Sequence, residues 1–134
     1  LFGSVQATWN LLEQSAGPTL KAAHDAGLWV IVKEALANGR LTPRNTMPDF
    51  AAKRAILDSI AAQKETTIDA LALAGVLARP WADMVLSGAA TVEHLVSNVT
   101  AVHVTWDGET ANQLRQLVEP PEMYWQMRSN LAWN

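Results

Sequence analysis

An extended or apolar segment followed by a helix occurs three times along the chain, and this order constrains the fold more than any other feature. The sequence predicts strands over residues 3–9, 28–32 and 84–87. Helices are predicted to follow over residues 20–26, over residues 49–63 and 67–78, and after residue 90. Strands that are connected by helices pair in parallel through right-handed crossovers. The chain is therefore predicted to be an α/β protein with about three parallel strands and covering helices, either a doubly wound sheet or a piece of a barrel.

The second predicted strand is apolar at every position, reading Leu-Trp-Val-Ile-Val over residues 28–32, and Gly27 ends the helix before it. A continuous apolar run is typical of a parallel strand that is covered on both faces. Residues 35–49 contain a glycine, two prolines and two asparagines, which predicts a long irregular connection. Loops of this length are uncommon unless they have a role, so this loop is expected to cover a ligand or to move.

Side chains that can cap a helix stand before three of the predicted helices. Asp49 is expected to cap the helix over residues 49–63, Thr67 the helix over residues 67–78, and Thr91 the helix after the third strand. That last helix is expected to lie on the sheet, because five apolar residues have helical spacing on one face: Val92, Leu95, Val96, Val99 and Val102.

The C-terminal quarter is predicted to contain another helix and an aromatic tail. The helix is expected over residues 107–118, with Leu114 and Leu117 as its apolar contacts. Residues 119–134 form the aromatic tail, and the chain has six tryptophans in total. Large aromatic side chains are most simply explained by packing in a core.

Composition excludes several classes of protein and site. The 134 residues are 49% hydrophobic and 17% charged, which is typical of one globular domain. A net charge of −3 gives no electrostatic basis for binding nucleic acid, and the apolar stretches are too short to span a membrane. The chain has no cysteine, and its three histidines lack the spacing of metal ligands. These features are compatible with a cytoplasmic protein that has no metal site.

Residues 87–91, Ser-Gly-Ala-Ala-Thr, predict a phosphate-binding turn between the third strand and the next helix. Small residues let a phosphate approach the backbone, and the start of a helix presents free N–H groups. An ordinary strand-to-helix turn also favours glycine and a hydroxyl cap. The local pattern leaves both interpretations open.

Polar residues near the first two strands are further candidates. Gln6 carries a donor and an acceptor that suit a carboxamide-bearing ligand, or it is satisfied by neighbouring backbone groups. Lys33 and Glu34 end the second strand, at the face where barrels have their active sites, or they form an ion pair or two solvated charges. Residues 38–42 offer N–H groups and a guanidinium to a phosphate, or form a plain turn.

Three segments together resemble the C-terminal half of the aldo-keto reductase family, in the order and spacing of that family. They are VQATWNLLE at residues 5–13, VIVKEALANGRLT at residues 30–42 and SGAATVEHLVSN at residues 87–98. The helix with DALALA at residues 69–74 is also similar to the family's helix before its last strand. The resemblance implies that residues 1–134 form the C-terminal part of a (β/α)8 TIM barrel, a partial barrel that contains strands 6, 7 and 8.

The resemblance also implies NADP(H) as a cofactor, bound in extended form by an oxidoreductase that reduces aldehydes or ketones. The residues around the first strand would contact the nicotinamide, the loop after the second strand would wrap the pyrophosphate, and the residues after the third strand would hold the adenosine phosphate. The cofactor-binding residues implied in this way are Gln6, Lys33, Glu34, Leu36, Asn38, Gly39, Leu41, Gly88, Ala89, Ala90, His94, Ser97 and Asn98.

The chain departs from the family pattern at several of these positions. Lys33 stands where the family usually has a tyrosine that stacks on the nicotinamide, and Glu34 stands where it usually has a serine. His94 replaces a frequent arginine or glutamine, and Ser97 replaces a frequent glutamate. The family's catalytic aspartate, tyrosine, lysine and histidine belong to its N-terminal half and have no match here. The lone chain is therefore expected not to catalyse hydride transfer.

Two hypotheses follow for the function of the chain. In the first, the chain is the cofactor-binding half of a longer carbonyl oxidoreductase and binds NADPH more tightly than NADH. The lack of an initiating methionine fits this, since the chain then begins within a longer sequence. The alternative is a non-catalytic α/β binding or assembly module. In either case, open strand edges predict pairing with a second copy or with the missing half of the barrel.

Overall fold

A parallel sheet of three strands, in the order β1-β2-β3, forms the centre of the protein in a computed structural model that describes residues 2–131. The strands are β1 (Ser4–Thr8), β2 (Trp29–Lys33) and β3 (Met84–Val85). Ser4 pairs with Trp29, and Ile31 pairs with Met84. Neighbours in sequence are neighbours in the sheet, as in successive βα units of a barrel. The predicted α/β architecture with three parallel strands is confirmed.

Six α-helices occur in the part of the chain that the structure describes: α1 (Gly17–Asp25), α2 (Ala51–Gln63), α3 (Ile68–Leu77), α4 (Val92–Val99), α5 (Gly108–Leu114) and α6 (Pro121–Ser129). Short 3₁₀ segments add the turns Ala37–Gly39, Pro48–Phe50, Thr100–His103 and Arg115–Leu117. Within residues 2–131, none of these helices combines the length and the apolar character needed to cross a membrane. The last part of the predicted aromatic tail, residues 132–134, lies outside the described residues.

Two of the three predicted helix caps are confirmed. Thr67 precedes α3, and its hydroxyl oxygen accepts a hydrogen bond from the Ala70 N–H at 3.3 Å. Thr91 precedes α4 and accepts from the His94 N–H at 3.1 Å. Both threonines have extended backbone, which lets the side-chain oxygen reach the first turn of the helix.

The predicted cap by Asp49 is wrong. Asp49 lies inside the 3₁₀ turn Pro48–Phe50, and α2 begins only at Ala51. Phe50 precedes α2 with helical backbone angles and no capping side chain. The reason is Pro48, whose fixed φ starts a helical turn three residues before α2 and leaves no extended residue directly in front of α2.

Helices cover only one face of the sheet. Val30 and Val32 of β2 are completely buried at 0% exposure, whereas Trp29 on the opposite face is 55% exposed. The buried face packs against Leu20 of α1 and Leu73 of α3. The prediction that this strand is covered on both faces is therefore wrong for the described residues, because they leave Trp29 largely exposed, although Thr8 of β1 on the same face is buried.

A second hydrophobic cluster lies away from the sheet, between α2, α3, α5 and α6. Leu57, Leu71, Leu114, Leu117 and Tyr124 are among its buried members. The predicted contacts through Leu114 and Leu117 are thus confirmed. Helix α3 is buried around nearly its whole circumference because it separates this cluster from the cluster on the sheet.

The apolar face of α4 does not lie on the sheet, which corrects the prediction made from its spacing. All five residues of this face are at least 48% exposed: Val92, Leu95, Val96, Val99 and Val102. The opposite side of α4 packs on α3, where Ser97 donates a hydrogen bond to Asp69. The reason is that β3 has only two residues and forms the edge of the sheet, so no strand lies beyond it to receive this face.

Candidate functional site

A cleft of about 230 Å³ opens where the loops after β2 and β3 meet α3 and α4. We call it the α4 cleft. This is the carboxyl-terminal end of the sheet, where parallel α/β folds bind their ligands. The residues that line it come from four separate parts of the sequence: Leu36, Thr42, Pro43, Arg44, Thr67, Asp69, Gly88, Ala89, Glu93, His94, Ser97 and Asn98.

The turn between β3 and α4 is held by local hydrogen bonds. Gly88 has φ +64°, in the left-handed region that favours glycine. The Ala89 N–H donates to Ser87 Oγ at 3.3 Å, and the Asn98 side chain donates to the Ser87 carbonyl at 3.0 Å. The second bond ties the far end of α4 back to the turn, and both the turn and α4 line the α4 cleft.

Asp69 is the buried carboxylate of the α4 cleft, with 8% of its surface exposed. Its Oδ2 accepts a hydrogen bond from Ser97 Oγ at 2.7 Å. Its Oδ1 is buried and has no hydrogen-bond partner among the described residues. An unsatisfied buried acceptor is costly, so Oδ1 is suited to a donor supplied by a ligand. The signal in the sequence was a charge within an otherwise apolar helix, and sequence reasoning did not use it.

The loop after β2 forms a second wall with unusual backbone geometry. Glu34, Ala37 and Asn38 have φ values of 56°, 49° and 54°, which is uncommon for residues other than glycine. A second cleft of about 320 Å³ follows this loop and is lined by Asn38, Gly39, Arg40, Thr42, Arg44, Asn45, Met47 and Leu131. Thr42 and Arg44 line both clefts, so the two spaces adjoin.

Arg44 stands at this shared wall with an exposed side chain and no ion pair among the described residues. Arg40, by contrast, has its guanidinium committed to a carboxylate. Its two terminal nitrogens donate to Glu119 at 2.9 and 2.6 Å, and Lys53 donates to the same carboxylate. The sequence left open whether the guanidinium of Arg40 contacts a phosphate or belongs to a plain turn. The structure pairs Arg40 with Glu119 and leaves the guanidinium of Arg44 available.

Glu34 is held by α6 and does not line either cleft. Arg128 donates to Glu34 Oε1 at 2.8 Å, and the Asn10 side chain donates to the Glu34 carbonyl at 3.0 Å. Burial opposes ionisation of this carboxyl, but Arg128, helped by Asn38 and Lys33, lowers the pKa of Glu34 below its usual range. The side chain of Glu34 is thus an anion in a structural ion pair.

The structure brings together some of the implied cofactor residues and separates others. Leu36, Gly88, Ala89, His94, Ser97 and Asn98 share the α4 cleft, and Asn38 and Gly39 line the adjoining one. Neither cleft is lined by Gln6, Lys33, Glu34, Leu41 or Ala90. Gln6 and Lys33 lie on the uncovered face of the sheet, while the side chain of Leu41 is fully buried in the core.

The sequence matches the model of the aldo/keto reductase family over residues 2–119, which is most of the chain. This chain belongs to the aldo-keto reductase family. Its fold is accordingly that of an oxidoreductase. No curated protein matches the chain.

Solved structures show how much of an aldo-keto reductase fold this chain matches. A thermostable aldo-keto reductase in complex with the inhibitor epalrestat matches 84% of this chain with a TM-score of 0.68 and 22% identity, over 38% of its own length. An aldo-keto reductase from Bacillus halodurans in its apo form matches 87% of this chain with a TM-score of 0.70 and 21% identity, over 44% of its own length. Its holo form gives a TM-score of 0.67 at 20% identity. The chain thus spans about two fifths of these proteins and has part of their TIM-barrel fold.

The barrel explains the uncovered face of the sheet. In a TIM barrel the helices surround the strands on the outside, and the other face of each strand points into the barrel. Val30 and Val32 therefore lie on the outer face of the sheet, and Gln6, Ile31 and Lys33 lie on the inner face.

Proposed function

We propose that this chain supplies the cofactor-binding part of an aldo-keto reductase that reduces aldehydes or ketones, with NADP(H) as the cofactor. The observation that carries the proposal is the α4 cleft, where Leu36 meets residues 88–98 although they are far apart in sequence. Its volume of about 230 Å³ suits one nucleoside portion of a dinucleotide, and the adjoining cleft of about 320 Å³ provides room along the loop after β2.

The chemistry of the α4 cleft fits an adenosine phosphate. The first turn of α4 has N–H groups at Val92 and Glu93 that have no partner within the helix, and the guanidinium of Arg44 stands nearby on the shared wall. Both kinds of donor bind phosphate oxygens. The unpaired Oδ1 of Asp69 supplies an acceptor for a ribose hydroxyl or an amino group. The α4 cleft thus offers donors for phosphate oxygens and an acceptor for a hydroxyl or amino group, and an adenosine phosphate carries all of these groups.

The inner face of the sheet fits the other end of the cofactor only in part. When bound, a reduced nicotinamide supplies the hydride that reduces a carbonyl carbon. Gln6 would orient the carboxamide, since its side chain both donates and accepts. Lys33 gives no aromatic ring for stacking. Gln6 would thus orient the nicotinamide by hydrogen bonds, but the residues at the end of β2 provide no aromatic surface on which it could stack.

The proton that carbonyl reduction requires is proposed to come from polypeptide outside this sequence. Tyr124 is the only tyrosine of the chain, and it is 1% exposed in the cluster between the helices. Its hydroxyl accepts a hydrogen bond from Asn10 at 2.9 Å, and burial raises its pKa above the usual range. A buried phenol with a raised pKa is a poor acid for a substrate in either cleft.

Fluorescence titration with NADPH and NADH tests the cofactor proposal. We expect the folded chain to bind NADPH more tightly than NADH. Arg44→Ala should weaken the binding of NADPH by about tenfold, because a charge-assisted hydrogen bond is lost. Arg115→Ala, which removes an exposed arginine outside both clefts, is the matched control. Absence of binding by the folded chain, or equal effects of the two variants, would contradict the proposal.

A second proposal concerns the polypeptide that completes the barrel. Both edges of the sheet, β1 and β3, are unpaired within the described residues, and the apolar face of α4 is exposed beyond β3. The matched proteins have more than twice the length that this chain covers. We propose that the occupant of these surfaces is the remaining set of βα units of an aldo-keto reductase barrel, which would pair with β1 and β3.

The sequence encoded before Leu1 and light scattering of the chain test this second proposal. A reading frame that carries the four catalytic residues would support a reductase, whereas an immediate start codon would support a non-catalytic assembly module. We expect the chain alone to self-associate through its open edges. Val96→Asp, on the exposed face of α4, should reduce this association, and a chain that stays a folded monomer at high concentration would contradict it.

A further inference from the structure

A smaller cleft of about 100 Å³ lies apart from the α4 cleft and shares no residue with it or with the adjoining cleft. We call it the Arg79 pocket. It is formed by the loop after β1, the end of α3 and helix α5. Its lining residues are Trp9, Leu11, Gln14, Arg79, Trp106, Ala111, Leu114 and Arg115.

Arg79 is a partly buried cation without an anionic partner in residues 2–131. Its guanidinium carbon lies 5.4 Å from the ring centroid of Trp9 and 5.9 Å from that of Trp106, so the two indoles flank it. Its Nε donates to the Gly75 carbonyl at 3.1 Å. Burial lowers the pKa of Arg79 below its ordinary value, and no carboxylate opposes this effect. Such a guanidinium gains from an anion that binds to its remaining N–H groups.

The other polar groups of the Arg79 pocket are mainly donors. Trp106 Nε1 is buried and has no acceptor among the described residues. Arg115 is exposed, and the described part of the chain gives it no ion pair. The Gln14 side chain reaches the Leu11 carbonyl only at 3.5 Å, the limit of a hydrogen bond. No carboxylate belongs to the described lining of the pocket.

Gly75 makes the wall of the pocket possible. A Cβ atom at this position would lie 2.7 Å from Cη2 of Trp106 and 2.8 Å from Cδ2 of Leu11. Only a residue without a side chain lets the Trp106 indole pack this closely on α3. The indole N–H and the guanidinium of Arg79 are therefore positioned by packing, which preorganises the donors.

We infer that the Arg79 pocket binds a small oxyanion, namely a phosphate or sulfate group. Arg79 and Arg115 supply positive charge, and the indole N–H of Trp106 supplies a directed donor. A tetrahedral oxyanion has several acceptor oxygens, so it can satisfy these three groups together. A volume of about 100 Å³ is far below that of a pocket for a drug-sized ligand, which excludes a whole nucleotide. This site is independent of the proposed cofactor cleft.

Tryptophan fluorescence of the folded chain tests the inference. The chain is titrated with sodium phosphate, sodium sulfate and glycerol phosphate at constant ionic strength maintained with sodium chloride. We expect a saturable change for phosphate and sulfate that persists in the Arg44→Ala chain, and none when chloride alone is exchanged. Tighter binding of glycerol phosphate than of inorganic phosphate would identify a phosphorylated small molecule as the source of the group, whereas the reverse would identify the free ion.

Two variants locate the binding. Arg79→Gln should weaken the binding of phosphate by about tenfold or more, because a charge-assisted hydrogen bond is lost. Arg115→Gln should weaken it by about threefold, since the side chain is exposed and its charge is screened. Lys21→Gln, which removes an exposed cation on α1 that lines none of these clefts, is the matched control and should leave phosphate binding unchanged.

The NMR resonances of the indole N–H groups test the inference in the unmodified chain, without a variant that could fail to fold. The indole N–H resonance of Trp106 in the unmodified chain should shift as phosphate binds, while the indole resonance of Trp125 on α6 should not. The inference is overturned if phosphate and sulfate have no effect beyond chloride. It is equally overturned if the Trp106 resonance stays in place while phosphate binds, or if folded Arg79→Gln and Arg115→Gln bind phosphate as the unmodified chain does.

Discussion

Replacing Gly75 by alanine gives the sharpest test of the packing between α3 and Trp106. Alanine is the better helix former, so helix propensity alone predicts a gain of up to about 1 kcal/mol in the free energy of unfolding. The surroundings predict the opposite. The added Cβ would lie 2.7 and 3.0 Å from two ring carbons of Trp106 and 2.8 Å from a methyl group of Leu11.

The sign of the effect depends on whether these neighbours can move. Leu11 is 2% exposed, and the free space beside it is the small Arg79 pocket that it lines. The Trp106 ring is rigid and moves only as a whole, which would remove it from the guanidinium of Arg79. Overpacking of this kind costs about 1–3 kcal/mol. Because two neighbours lie closer than 3.0 Å, we take an overpacking cost of about 2–3 kcal/mol. Subtraction of a propensity gain of about 1 kcal/mol leaves an expected loss of about 1–2 kcal/mol for Gly75→Ala, which corresponds to about 4–8 °C in Tm for a domain of this size.

Urea and thermal unfolding of Gly75→Ala and of Gly108→Ala measure this effect against a matched control. Gly108 starts α5, and a Cβ there would have no neighbour within 4 Å. Its alanine variant should have an unchanged or slightly higher Tm. Tryptophan fluorescence should change only in the Gly75 variant. A Gly75→Ala chain that is as stable as the unmodified chain would refute the close approach of Trp106 to α3.

Four further predictions address single contacts. Thr91→Ala should cost about 1 kcal/mol and speed hydrogen exchange at the start of α4, whereas Thr91→Ser should not. Tyr124→Phe should cost about 1 kcal/mol in urea unfolding, because the hydroxyl no longer accepts from Asn10. Burial opposes ionisation of Glu119, but Arg40 and Lys53 lower its pKa. The ion pairs of Glu119 therefore contribute to the free energy of unfolding above about pH 4.5, and this contribution falls as the pH drops through the lower pKa of the folded state. Urea unfolding at several pH values should show a flatter pH dependence for Glu119→Gln. In the proposed cofactor site, 2′-phosphoadenosine should bind this chain about as tightly as NADPH, as measured by calorimetry.

Local signals in the sequence predict much of the fold because they act within a few residues. Thr67 and Thr91 cap their helices through bonds to N–H groups three residues ahead, and no distant contact is needed for this. The order of strands and helices likewise fixes a parallel sheet, since right-handed crossovers leave few alternatives. Asp49 shows the limit of such signals, because a proline next to it moved the start of the helical turn.

Distant contacts account for what the sequence did not predict. Asp69 becomes a site residue only because Ser97, on another helix, holds its carboxylate in the α4 cleft. Arg40 and Arg44 have the same side chain and lie four residues apart. Only the first is committed to Glu119, which lies near the other end of the chain. Spacing along the sequence cannot distinguish a guanidinium that is committed from one that is available.

The two ends of the proposed cofactor site differ in how much of their surroundings this chain provides. The α4 cleft has its walls on α3, α4 and the loop after β2, and α3 lies between two buried clusters of the same chain. Gln6 and Lys33 instead lie on the inner face of the sheet, which the described residues cover only in part. Hydrogen bonds and charges are strengthened when water is excluded, and a barrel interior excludes water only when all its strands are present. In the proposed site, affinity for the adenosine phosphate would therefore depend on residues within this chain, while productive binding of the nicotinamide would depend on closure of the barrel by further strands.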